Sequence, residues 1–174
     1  MQSAAGGVVP GQAPIVPAAL LVALAALLEA SLSPLLAFGW VGPRFVVLGV
    51  VIAVAPLREI QALLLGFFGG VLTDALSGGI FGVGALGGVF AAAISVRVGT
   101  ARLNRQAHLI LSSAIAVAAY DLVGLIAPVL VGQNGPPLVR YVVGGVIPDV
   151  LLNVFLMYLV GGRLLRLIIP KEER

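Results

Sequence analysis

Six apolar runs, joined by links of a few residues, take up nearly all of this chain, and four of them carry a buried-looking acid. The runs cover residues 15–36, 45–57, 60–76, 80–98, 108–131 and 141–169. A helix needs about 20 apolar residues to cross a bilayer, and most of these runs approach that length. The second run is short and contains Pro56. It reaches spanning length only with residues 40–43, so it is expected to be thin, tilted or re-entrant. Only 10% of the 174 residues are charged and 60% are hydrophobic. Soluble domains carry about a quarter charged residues, so an integral membrane protein is expected. The expected fold class is all-α: a six-helix bundle, or five helices if the second run is re-entrant. Residues 1–14 are expected to be a disordered tail, 15–169 a single transmembrane domain and 170–174 a cytoplasmic tail. A signal peptide would open on a basic segment, and residues 1–14 have no charged side chain.

Basic residues orient the bundle. With six spans, eight fall on one side: Arg58, Arg97, Arg102, Arg105, Arg163, Arg166, Lys171 and Arg174. Arg44 and Arg140 fall on the other. The positive-inside rule then puts both termini in the cytoplasm. It also accounts for the basic balance without nucleic acid. The external links, residues 39–44, 77–79 and 132–140, are too short to be a receptor or catalytic domain.

Enzyme chemistry finds little support. The chain has no cysteine, which removes disulfides, thiolate metal sites and a thiol nucleophile. His108 is the lone histidine and cannot anchor a metal by itself. It is expected at the membrane interface. No serine has a plausible base partner. The glycines of residues 78–84 lack the strand–turn–helix setting and the following acid of a dinucleotide loop. No catalytic residue, metal or cofactor is expected.

The intramembrane polar groups are Glu29, Asp74, Asp121, Asp149 and Asn153. Acids in hydrocarbon are costly, so each needs a partner or a purpose. On the third run Gly66, Gly70, Thr73, Asp74 and Ser77 share one helical face, which aims Asp74 at a close helix contact. A structural cap for Asp74 is preferred over transport chemistry, with acceptance from the N–H groups near Gly78 and Gly79 expected. On the sixth run Gly145, Asp149 and Asn153 stand four apart, and Pro148 frees the carbonyl of Gly144. That combination can also line a cavity. On the fifth, Asp121, Gly124 and Pro128 share a face beside Tyr120. Glu29 and Ser33 stand four apart on the first. Arg44 and Arg140 are the nearest cations to pair with these acids. Gly66/Gly70, Gly78/Gly82 and Gly84/Gly88 fit Gly-x-x-x-Gly, a common packing signal. Gly66, Gly70, Gly78 and Gly82 are the candidates for helix packing or a partner interface.

Residues 43–94 resemble the MreD family of bacterial rod shape-determining membrane proteins. The resemblance lies in an apolar second helix, then Gly66-Phe67, the downstream Asp74, a turn with Gly78, and Gly82 with Ala85-Leu86 opening the next helix. Asp121 midway along the fifth helix also fits. The resemblance implies a non-enzymatic scaffold of the cell-elongation and peptidoglycan-synthesis machinery in the bacterial cytoplasmic membrane. It implies binding to MreC, a single-span protein, through helix packing. The wider complex would hold MreB, RodA and its transpeptidase partner. Membrane lipids and a second copy of the chain, as a homodimer, complete the partner set, and nucleic acid is excluded. The family fold is also similar to the substrate-binding subunits of energy-coupling-factor vitamin transporters. That similarity supplies the alternative reading, capture of a small vitamin, to which Ala19/Ala23 and Ala26/Ala30 lend a small-residue docking face. A proton-coupled carrier using Asp121 and Asp149 ranks last, because the chain shows no internal repeat.

Overall fold

The shortest helix holds the centre of the molecule. Phe45–Val54 is ten residues of Phe, Val, Leu, Gly, Ile and Ala, with no polar side chain. A helix that is apolar all round belongs inside a bundle. Residues 46–54 are all buried, most at 3% exposure or less. A computed structural model of the chain describes residues 15–99, 101 and 103–168. The tail over residues 1–14, Arg102, Lys171, Arg174 and the rest of the C-terminal segment lie outside the described residues.

Six helices form among the described residues. They are α1 (Ile15–Leu36), α2 (Phe45–Val54), α3 (Glu59–Ser77), α4 (Val83–Gly99), α5 (Arg105–Leu130) and α6, which begins at Leu138. The last is built in segments. Leu138–Tyr141 and Ile147–Leu156 flank a π-helical turn over Val142–Val146, and a second π turn over Met157–Gly161 leads into Gly162–Ile168. α1, α3, α5 and α6 are long and apolar enough to cross a membrane. α2 and α4, at ten and seventeen residues, are not. At 1.5 Å per residue they reach about 15 and 25 Å, against a hydrocarbon core of about 30 Å. Residues 40–43 do not extend α2. Phe38 and Val41 instead exchange two backbone hydrogen bonds, of 2.7 and 3.1 Å, in a tight turn.

Helices α1, α3, α4, α5 and α6 pack in that order around α2, which touches each of them. The closest pair is α3 with α4. A methyl group added at Gly66 would meet the backbone of Gly88, and one added at Gly70 would meet that of Gly84. The two backbones therefore pack directly, as small residues permit in lipid, where dispersion contacts replace the hydrophobic drive. Gly69 receives Val22 of α1, and Gly87 receives the ring of Tyr120 of α5. Glycine thus lines both sides of the hairpin.

Candidate functional site

Helices that start inside a bundle leave four backbone N–H groups without partners. α4 does so, and its account closes. Val83 donates to the carbonyl of Ile80 at 3.3 Å. The other three N–H groups go to one side chain on α3. Gly84 donates to Asp74 Oδ1 at 2.7 Å, and Gly82 and Ala85 donate to Oδ2 at 2.9 and 3.1 Å. Asp74 is 7% exposed. Its charge sits against the positive end of the α4 dipole, where an anion is stabilised. The donors lie a few residues beyond the expected Gly78 and Gly79, because α4 begins at Val83 and not at residue 80.

α2 has the same problem and a more elaborate answer. Its N-cap, Arg44, makes no capping bond with its own side chain. Three other side chains supply the acceptors. Gly42 N–H donates to Asp149 Oδ1 at 2.6 Å, Arg44 N–H to Asn153 Oδ1 at 2.7 Å, and Val46 N–H to Glu29 Oε2 at 3.2 Å. The Arg44 guanidinium turns back among the acids. Its Nε donates to Asp149 Oδ2 and its Nη2 to Asp121 Oδ1, both at 3.0 Å. Asp121 and Asp149 are 2% and 0% exposed. Charge-assisted bonds of this kind are stronger in a site that excludes water.

The link over residues 37–44 therefore folds into the bundle. Ser33 Oγ donates to the carbonyl of Pro43 at 2.9 Å, and Asn153 Nδ2 to that of Gly42 at 3.1 Å. Trp40 lies against Gly145, where a methyl group would come within 3.2 Å of its Cβ. Arg44 Cζ stands 5.3 Å from the centroid of the Tyr120 ring, a cation–π contact. The π turn before Ile147 places Pro148, which has no N–H to donate, at the start of the next segment. Each π turn adds a residue to its turn and changes which side of the helix follows. Gly145, Asp149 and Asn153 face the link together.

Several expectations change at this point. Gly66 and Gly70 pack against a helix as expected, but it is α4 of the same chain, so that face is not open to a partner. Gly78 and Gly82 do not pack at all. They have φ of +66° and +102°, and nothing lies within 4 Å of an added methyl group at either. They serve the turn, where glycine takes positive φ at no steric cost. Arg140 pairs with none of the acids in the cluster. Its Cζ lies 5.8 Å from the Trp40 ring. The ring of His108 bonds to the Ser95 carbonyl at 3.0 Å. Sequence reasoning missed Gly42 and Asn153 as a pair, since nothing in either neighbourhood marks a contact 111 residues long.

A second feature lies between α1 and α6. The ring around α2 is open between α1 and α6. A groove of about 240 Å³ occupies the gap, floored by Phe45, Leu48, Gly49 and Ile52 of α2. Leu21, Leu24, Ala25 and Leu28 form one wall, and Leu156, Met157, Val160, Gly161 and Leu164 the other. The walls span about two helical turns and carry no polar side chain.

A family model described as rod shape-determining protein MreD matches residues 12–166. No curated protein and no solved structure matches the chain.

Proposed function

The chain belongs to the MreD family of rod shape-determining proteins, and from that premise we propose that it is a non-enzymatic membrane scaffold of the elongation machinery that seats the single span of MreC. The observation that carries this reading is the groove between α1 and α6. It is lined by apolar side chains and reaches between α1 and α6 to the one helix that the other five surround. Leu24 and Val160 present exposed aliphatic surface on its two walls, and packing of such surfaces is how spans associate in lipid. MreB, RodA and its transpeptidase partner would join through that complex. The polar groups of the bundle support a structural role, because Asp74, Glu29, Asp149 and Asn153 are spent on helix starts. The same use of these groups leaves the vitamin-capture reading without a ligand site to point to.

The chain's lack of cysteine makes the test direct. Leu24→Cys and Val160→Cys should each cross-link to a cysteine scanned along the MreC span in native membranes. Ile60→Cys, on the exposed outer side of α3, should not. Equal cross-linking from Ile60, or none from the groove, sinks the seat. Cross-links between two copies at the groove would assign it to a homodimer instead.

The orientation belongs to the same proposal. Arg58, Arg97, Arg105, Arg163 and Arg166 gather at the end that carries the N-terminus of α1, and Arg44 is withdrawn into the bundle. Arg140 is then the basic residue left exposed at the opposite end, among the described residues. Positive-inside bias puts the arginine-rich end, with both termini, in the cytoplasm. A reporter fused after Arg174 that works only outside the cell would reverse this.

A further inference from the structure

The Arg44 cluster holds more acids than its one cation can match. Glu29, Asp121 and Asp149 reach it from α1, α5 and α6, and all three are buried. Tyr120 lies beneath the guanidinium, and the Tyr141 hydroxyl donates to the Asp121 carbonyl at 3.4 Å. Asn153 completes the surroundings as a neutral partner.

The two aspartates are not equivalent. Both oxygens of Asp149 have donors, one from Gly42 and one from Arg44. Asp121 has a donor to Oδ1 alone, and its Oδ2 is buried without a partner. The two carboxyls take neighbouring nitrogens of one guanidinium, which brings them close to each other. A guanidinium fork ordinarily receives both oxygens of a single carboxylate. Two ionised carboxylates sharing it would repel at short range, in surroundings that screen poorly. A proton on one of them turns that repulsion into a hydrogen bond.

We propose that Asp121 carries a proton in the folded protein and donates it to Asp149, so that Arg44, Asp149 and neutral Asp121 form a latch. The latch ties α5 and α6 to the inserted link over residues 37–44. It sets where α2 starts, and α2 is the floor of the groove. On the reading of that groove as a partner seat, loss of the proton would disturb the seat from behind.

Infrared spectroscopy of the purified protein tests this without a partner. The wild type should show a protonated-carboxyl stretch that Asp121→Asn removes or clearly weakens and Asp74→Asn leaves in place. The amide of Asp121→Asn can accept from Arg44 and donate to Asp149, as the neutral acid does. Its thermal midpoint in detergent should therefore match the wild type, while Asp149→Asn lowers it. The proposal is overturned by a wild type without the band, by a band of undiminished intensity in Asp121→Asn, or by Asp121→Asn as unstable as Asp149→Asn. If Asp149→Asn does not fold, that failure agrees with its ionised role, and the band in the wild type and Asp121→Asn decides.

Discussion

Asp74 and the Arg44 cluster solve one physical problem in two ways. Each caps a helix that begins inside the bundle, α4 in one case and α2 in the other. Asp74 works within a hairpin, and its donors lie 8 to 11 residues away. The α2 start draws on α1, α5 and α6, with contacts up to 111 residues long. One site is a single anion with three N–H donors. The other is a network of acids, an amide and one guanidinium. The local cap should fail by degrees. The distributed one should fail as a unit when a charged member is lost, because that leaves an opposite charge buried and unpaired.

Arg44→Leu should therefore have the largest effect. It strands Asp121 and Asp149 in the interior, and breaking a buried pair in this way costs about 3–5 kcal/mol. Arg44→Lys should not restore stability, since an ammonium lacks the fork that reaches two carboxyls at once. Thermal unfolding in mild detergent measures both. Arg44→Leu with a near-normal midpoint would show that the network is not cooperative and erase the contrast with Asp74.

Asp74→Leu comes next. It leaves the N–H groups of Gly82, Gly84 and Ala85 buried and unpaired, at roughly 1–3 kcal/mol each before relaxation. Relaxation of the short turn should hold the net loss to about 3 kcal/mol. Asp74→Asn should fall between Leu and wild type. Both carboxylate oxygens accept here, and an amide replaces one of them with a donor that faces further donors. An Asn variant as stable as wild type would mean that a single acceptor suffices. Loss of cell-shape rescue by a stable Asn variant would give Asp74 a role other than capping.

The difference between the sites also explains how much could be read in advance. The apolar runs gave the helix count, since hydropathy reports which segments leave water. The acid near a glycine turn gave a cap close to its real donors, because short links leave few places for a side chain to go. Hydropathy does not report depth, so α2 and residues 40–43 could pass for one longer span. Helical periodicity put Gly145, Asp149 and Asn153 on one face, but it does not say what that face meets. The π turns, one holding Gly145 and one following Leu156, carry no sequence signature that a 3.6-residue period detects. Four-residue spacing also makes Gly78 and Gly82 a packing pair on paper, although both are there for positive φ.

That last confusion can be resolved at Gly70 and Gly78, which stand eight residues apart in the same hairpin. At Gly70 the backbone is ordinary helix, and the obstacle is space: an added Cβ runs into the backbone of Gly84. Backbone cannot move aside as a side chain tip can, so Gly70→Ala should cost on the order of 1–3 kcal/mol through overpacking. At Gly78 the space is empty and the obstacle is φ, at +66°. Gly78→Ala should cost only about 1 kcal/mol, the penalty of a left-handed conformation. The two mechanisms part on a second substitution. Asparagine tolerates positive φ, so Gly78→Asn should recover most of the loss. It is larger than alanine, so Gly70→Asn should be worse than Gly70→Ala. Opposite orders of Ala and Asn at the two positions would separate packing from conformation. The same order at both would mean that the hairpin tolerates a shift between α3 and α4, and that Asp74 alone holds the start of α4.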